Sequence, residues 1–416
     1  METLRFLTSE TAAAVRDAVG TPAYVYDEAG LRRSAAAALA FPNAFGLTVR
    51  YAMKAAPTRR ILRLFDSLGL HFDASSGYEV RRLLAAGVAA EKISLSSQEL
   101  PADFAELLKL GVKLNACSLR QLEAFCLAFP SGTCGLRFNP GLGSGHTGKV
   151  NVGGPHSSFG IWHEWSGDAA RIAADADVTI ERIHTHIGSG SDPDVWARTA
   201  KLSLALVERF PEAMTLNLGG GYKVGRMRGE QSTDLQVVAE PVKKHFEEIA
   251  ANTGRRLHLE IEPGTFLVCN NCSLLATLQD IVTTGGPEGL KFYKLDTGMT
   301  ELLRPSLYGA QHPVVILPAN DTGRTEPAMV VGHCCESGDI ITCAPGKAET
   351  LGPRELPEAA PGDLCVIEGT GAYASAMSAK NYNSFPEAPE VLLTEKGALE
   401  VIRKRQTLEQ ITANEV

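Results

Sequence analysis

The stretch LTVRYAMKAAPTRRILRLFDSLGLHFDASS, residues 47–76, contains one complete strand–helix–strand repeat. Its ends, LTVRYAMK and LHFDASS, are short β-branched or apolar runs. Between them TRRILRLFDSLG sets apolar residues at helical spacing. KISLSS, VKLNACS and CGLRFNP follow at intervals of roughly 20 residues, the length of a βα unit, with ELPADFAELLKLG as a second amphipathic link. ERIHTHIG, MTLNLGGG and LHLEIEPG bring the strands to eight. Eight such units predict a (β/α)8 TIM-type barrel in preference to a doubly wound open sheet.

Beyond about residue 270 the texture changes to short strands divided by Gly, Pro and Asp turns. PAMVVGHCCESGDIITCA, GDLCVIEG and PEVLLTEKGALEVIRKRQTL are examples. A second, mainly β domain is expected there, and the strand-like TPAYVYD near the N-terminus is expected to pair with it. The predicted fold class is therefore α/β plus β. A barrel spans residues 28–268, and residues 1–27 plus 269–416 form a mainly β C-terminal domain.

Length and composition agree. A chain of 416 residues, 44% hydrophobic and 21% charged, has material for two globular domains. A formal charge of −8 argues against non-specific nucleic-acid binding and gives no membrane-surface signal. No apolar run reaches membrane-spanning length. METLRFLTSETAAAVRDAVG lacks the basic-then-apolar layout of a secretory signal. Nine cysteines, an odd number, suit a reducing cytoplasm better than a disulfide framework. A cytoplasmic enzyme is expected.

Barrel enzymes carry their reactive groups at the C-terminal ends of the strands. Those ends hold Lys54, Asp73, Arg137, His186 with Ser189, then Gly219, Gly220 and Gly221, and finally Glu262 with Gly264. Three successive glycines let backbone N–H groups approach a phosphate without obstruction, and Ser189 adds a hydroxyl. A lysine beside such a cradle is a Schiff-base candidate, because partial desolvation favours its neutral, nucleophilic form. A carboxylate such as Glu262 can keep a pyridine nitrogen protonated and its ring an effective electron sink. His186 can pack on the ring face. Together these groups describe a site for pyridoxal 5′-phosphate (PLP).

Three other patterns point elsewhere. GSGHTGKVN, residues 143–151, has the glycine and lysine spacing of a phosphate-binding P-loop, but Val150 replaces the magnesium-binding Ser or Thr. The following NVGGPHSSFG is too rich in Gly and Pro to open the required helix. His184 and His186 alternate on one strand face without a third metal ligand nearby. Cys269 and Cys272 form a single C-x-x-C without the second pair of a zinc site.

Across nearly its whole length the chain resembles the alanine-racemase-like, fold-type III PLP-dependent decarboxylases. The likeness lies in YAMKAAP, FDASSGYEV, HTHIGSG, LNLGGGY, EIEPG, LDTGMTELLRPSLYGAQHP, CESGD, GTGAYASAMS and NYNS, together with GHTGKVNVGGPHSSFGIW and VIRKRQT. The branch it resembles most is the one that decarboxylates meso-2,6-diaminopimelate to L-lysine. The resemblance implies that Lys54 carries the cofactor and that Ser189, Gly221, Gly264 and Tyr373 hold its phosphate. It places His186 on the ring face and Glu262 at the pyridine nitrogen. It implies a head-to-tail homodimer in which Cys335, Glu336 and Ser337 of CESGD serve the partner's site, with Cys335 as proton donor to Cα. Arg304 and Tyr308 would clamp the distal carboxylate of an amino-acid substrate, and Glu336 its distal amine.

The sequence departs from that pattern at three places. Thr265 stands where the family has an arginine after EPG, Phe385 replaces another after NYNS, and Lys380 is an insertion before NYN. Decarboxylation of a different amino acid therefore stays open, as do racemisation and an inactive, partner-binding relative. Arg304 favours a substrate with a second carboxylate, since a buried arginine without an anion is costly. Lys380 is a candidate replacement for the missing arginines.

Overall fold

The computed structural model describes residues 2–142, 153–186 and 190–416. It separates into a barrel unit, Arg32–Lys223 with Gln231–Leu267, and a β unit, Met1–Leu31 with Val224–Glu230 and Val268–Val416. Among the described residues no helix is long and apolar enough to cross a membrane.

Strand β1 (Ala23–Asp27) belongs to the β unit. The barrel unit follows with β2 (Leu47–Ala52), β3 (His71–Ala74), β4 (Ile93–Leu95), β5 (Lys113–Ala116) and β6 (Thr133–Asn139), which also pairs with the two-residue β7 (Ile161–Trp162). It is completed by β8 (Thr179–Thr185), β9 (Thr215–Asn217) and β10 (His258–Ile261). The parallel pairs run β2–β3–β4–β5–β6–β8–β9–β10, and β10 pairs with β2 to close the ring. The eight runs read from the sequence are these eight strands. TRRILRLFDSLG forms the helix Arg59–Ser67, which buries Ile61, Leu62, Leu64 and Phe65. ELPADFAELLKLG is helical only over Phe104–Lys109, preceded by a turn in which Phe104 N donates to Pro101 O.

The β unit adds β11 (Cys272–Thr283), β12 (Lys291–Leu295), β13 (Val314–Leu317), β14 (Thr325–Val331), β15 (Cys343–Ala344), β16 (Lys347–Leu351), β17 (Arg354–Pro357), β18 (Leu364–Glu368), β19 (Glu390–Leu393) and β20 (Leu399–Arg403). The sheet order is β17–β14–β12–β11–β1–β19–β20, with β18 on β11 and β13 on β18. TPAYVYD supplies β1, antiparallel to β11 and parallel to β19. The helix Ser9–Val19, capped by the Thr8 side chain, presses Ala12 and Val15 onto a core with Val25, Leu275, Val366 and Val391. Val224–Glu230 joins this unit through polar contacts: Asn270 donates to Gly225 O at 3.0 Å and Arg5 Nη2 to Arg226 O at 2.6 Å. Cys269 and Cys272 are buried thiols; Cys269 donates to Gly369 O, and Cys272 Sγ accepts from Thr370 Oγ1.

Inside the barrel, alternation along the strands stacks polar layers. The lower layer is an ion triad. Arg50 donates to both oxygens of Glu260, at 2.9 and 2.7 Å, and Arg182 Nε stands 3.3 Å from the same carboxylate. All three side chains are buried. Burial alone would raise the Glu260 pKa, but the two guanidiniums, Arg50 foremost, hold it at about 2.

A folded value below the ordinary 4.5 means that the ionised form contributes stability at neutral pH, fully present above about pH 4.5 and lost as pH falls through 2. Replacing Glu260 by Gln strands two buried cations. Urea unfolding is expected to show a loss of about 3–5 kcal/mol at pH 7 and a smaller difference from wild type at pH 3.

Candidate active site

Two residues beyond the ion triad, the same strands present a different set of groups at their C-terminal ends. Lys54 follows β2 in the short turn Met53–Ala55, and its Nζ donates to Ser75 Oγ at 3.4 Å. The loop bearing Ser75 is fixed from both sides. Ser76 Oγ accepts from Glu79 N, capping the helix Gly77–Ala86, while Ser75 N donates to Glu79 Oε2 at 2.6 Å. This is a variant of the reciprocal capping arrangement. Lys54, Ser75, Ser96, Gln98, Cys117, Arg137, Phe159, Gly160 and His186 line a cavity of about 130 Å³. That is close to the ~150 Å³ that accepts one benzene ring, so the mouth has room for a single aromatic ring. The Arg137 guanidinium carbon lies 5.3 Å from the centre of the Phe159 ring.

Two buried carboxylates share this mouth, and their environments drive them apart. Glu262 Oε1 accepts from Asn217 Nδ2 at 2.6 Å, and Oε2 lies 3.2 Å from His184 Nε2. Gly219 N donates to Asn217 Oδ1 at 2.8 Å, which fixes the amide so that its NH₂ faces Glu262. Burial would raise the Glu262 pKa; His184 above all, then His186 and Arg137, outweigh it and hold the carboxyl well below its usual range. Asp73 moves the other way, to about 8, because it is buried and faces the Glu262 anion. Its Oδ1 is buried without a hydrogen-bond partner among the described residues. At neutral pH the pair therefore holds one negative charge, on Glu262. His186 is kept neutral by burial and by the charges of Arg137 and Lys54.

The glycines are required by close packing. A Cβ on Gly220 would sit 2.2 Å from the Glu262 carbonyl oxygen, and one on Gly219 would meet His186 at 2.8 Å. Gly219 and Gly221 also adopt φ of +70° and +103°, where side chains are disfavoured. Gly219 N–H is committed to Asn217, whereas those of Gly220 and Gly221 have no hydrogen-bond partner among the described residues. Gly264 packs on Ala52 and Ala55 behind β2.

The structure thus brings Lys54, Asp73, Arg137, His186, Gly219, Gly220, Gly221 and Glu262 to one end of the barrel. Ser189 and the stretch 143–151 lie outside the described residues. Sequence reading missed Ser75, Ser96, Cys117 and Asn217, although DASS, SLSS, NACS and LNLGGG all stand at strand ends. His184 interacts with Ser96, at 3.4 Å from its Oγ, and with Glu262. It thus sits beneath the mouth as a partner of the carboxylate, a role that its alternation with His186 did not reveal.

The remaining candidates belong to the β unit. The CESGD loop folds around one carboxylate: Asp339 accepts from Met299 N at 2.6 Å and from Cys334 N at 2.9 Å, and Gly298 and Gly332 pack directly on it. Cys335, Glu336 and Ser337 are left exposed, with Cys335 N donating to Asn383 Oδ1 at 2.8 Å. Burial pushes the neighbouring Cys334 thiol up to about 12, so it stays protonated. Ser306 Oγ donates to Gly338 O at 2.7 Å and ties the turn Arg304–Tyr308 to this loop. Arg304 lies 5.6 Å from the Tyr308 ring centre, and Tyr373 holds a left-handed φ of +55°. Phe385 stacks on His333 at a centroid distance of 3.6 Å. Lys380 does not replace the missing arginines here: its Nζ binds Glu387 at 2.7 Å, a carboxylate it shares with Arg403.

Comparison with known proteins follows the chemistry. Residues 31–269 match the pyridoxal binding domain of the pyridoxal-dependent decarboxylases. Diaminopimelate decarboxylase of Escherichia coli K12 is 34% identical over 424 residues, covering 99% of this chain and 97% of that one. That of Streptomyces coelicolor is also 34% identical, over 95% and 90% of the two chains. A crystal structure of diaminopimelate decarboxylase superposes with a TM-score of 0.91 at 33% identity, covering 98% of this chain and 97% of the other. The chain belongs to the pyridoxal-dependent decarboxylases, in the diaminopimelate decarboxylase family, and its cofactor is pyridoxal 5′-phosphate.

Proposed function

We propose that this enzyme removes one carboxylate of meso-2,6-diaminopimelate as CO₂ and releases L-lysine. The observation that carries the reading is geometric: Lys54 and His186 line a ring-sized cavity at the barrel mouth, and Glu262 is held at the same strand ends by Asn217 and His184. When bound, PLP supplies an attachment point for the substrate amine and a sink for the electron pair left by CO₂. Each neighbouring residue has a part that its environment supports. Lys54 would hold the cofactor aldehyde. Glu262 keeps the proton on the pyridine nitrogen, the condition for the sink to work. Neutral His186 can lie against the ring without competing for that proton. The backbone N–H groups of Gly220 and Gly221, with Ser189, Gly264 and Tyr373, would take the phosphate. Asp73 and Arg137 complete the cofactor set.

In the β unit, Arg304 and Tyr308 suit the carboxylate retained in the product, and Glu336 its amine. Cys335, exposed on a loop fixed by Asp339, suits proton delivery to the reacting carbon. That exposure of Cys335, Glu336 and Ser337 supports a homodimer in which this loop completes the partner's site. A biosynthetic enzyme of this type is placed in the cytoplasm. The curated relatives share one activity in their names, and no observation favours a different amino acid.

CO₂ release from a panel of meso-diaminopimelate, L-lysine, L-ornithine and L-arginine tests the reaction. Turnover of the first alone is expected; turnover of another without the first would overturn the proposal. Glu262→Gln is expected to retain the cofactor while kcat falls roughly a hundredfold or more.

Shared sites make a separate prediction. Lys54→Ala and Cys335→Ala homodimers should each be nearly inactive. Mixing and reassociating them should restore roughly a quarter of wild-type activity, since half of the random dimers regain one intact site. No recovery, with exchange confirmed by mass, would show that each site is built from one chain.

A further inference from the structure

Two arginines of the β unit, Arg226 and Arg304, keep buried N–H donors without hydrogen-bond partners among the described residues. Arg226 is firmly placed. Its main chain is held by Glu230 Oε2 at 2.8 Å and by Arg5 Nη2, and its side chain lies along Gly369. There a Cβ would meet Arg226 Cγ at 3.2 Å, and Nε donates to Gly369 O at 3.3 Å. One arm of the fork is left over: Arg226 Nη2 is buried without a hydrogen-bond partner among the described residues. Arg304 Nε is in the same condition.

The two cations are close enough to disturb each other. The Arg304 pKa is pushed down to about 10, first by burial and then by the charge of Arg226. Among the described residues no carboxylate pairs with either guanidinium. His312 adds no charge. Its Nδ1 faces the Glu368 carbonyl at 3.0 Å and so carries the proton, and burial with the two arginines holds the ring neutral. Two like charges with orphaned N–H donors are unfavourable unless an anion bridges them. A carboxylate has the matching charge and two oxygens that can each accept from a guanidinium.

We infer that Arg226 is a specificity residue which, together with Arg304, grips the substrate carboxylate that survives into the product. The assignment rests on the proposed reaction and adds to it a second guanidinium from the Val224–Glu230 segment. In the proposed site the PLP phosphate takes the N–H groups of Gly220 and Gly221, so the arginine pair is assigned to substrate.

The test compares holoenzymes of wild type, Arg226→Met and Arg226→Lys by calorimetric binding of two amines, L-lysine, which keeps the carboxylate, and cadaverine, which lacks it. Arg226→Met should weaken L-lysine about tenfold to a hundredfold, the range for a lost charged hydrogen bond. Cadaverine should shift less than threefold, and Arg226→Lys should recover part of the loss. Equal shifts for both amines, or no shift for L-lysine, would overturn the assignment. So would a loss of PLP affinity in Arg226→Met, which would give Arg226 to the phosphate. If Arg226→Met fails to fold, Arg226→Lys decides by the same two-ligand comparison. Wild-type turnover of meso-diaminopimelate, measured in parallel, reports separately on the proposed reaction.

Discussion

A buried carboxylate that stays ionised is the constraint on which the rest of this active site depends. Glu262 is removed from water, which alone would neutralise it. Asn217 and His184 compensate, one on each oxygen. Gly219 in turn orients Asn217, so the glycine run that favours a phosphate also sets the amide that steadies the charge. Asp73 takes up the proton that two adjacent carboxylates cannot both do without. The barrel supplies the geometry by simple alternation: Glu260 and Glu262 point inward two residues apart, one into a structural triad and the other towards the chemistry.

The β unit treats charge in the opposite way. Around Asp339 both carboxylate oxygens are used to shape a loop, and the outcome is an exposed Cys335 on a fixed backbone. Around Arg226 and Arg304 no carboxylate among the described residues balances the positive charge, and the inferred substrate carboxylate would complete what the protein leaves open.

Much of this was legible in the sequence. Short β-branched or apolar runs recurring with helical links gave all eight barrel strands, and their ends gave Lys54, Asp73, Arg137, His186 and Glu262. Less legible was anything that depends on one strand facing another. Asn217 looks like an ordinary strand residue until β9 sets it beside β10, and His184 was indistinguishable from His186 by spacing alone. Arg226 lies in KVGRMRGE, a stretch without periodicity, and only its contacts with Gly369 and Arg5 assign it to the β unit. Lys380 was misleading for a similar reason: its partner Glu387 is near in sequence, but pairing in such an irregular segment has no pattern to read.

The most direct test is the protonation state of the cofactor nitrogen. Holoenzyme reconstituted with PLP labelled with ¹⁵N in the ring can be examined by solid-state NMR at neutral pH. An ionised Glu262 requires a pyridinium nitrogen, with the resonance moving to that of neutral pyridine in Glu262→Gln. A neutral nitrogen in the wild-type enzyme would contradict the account at its base.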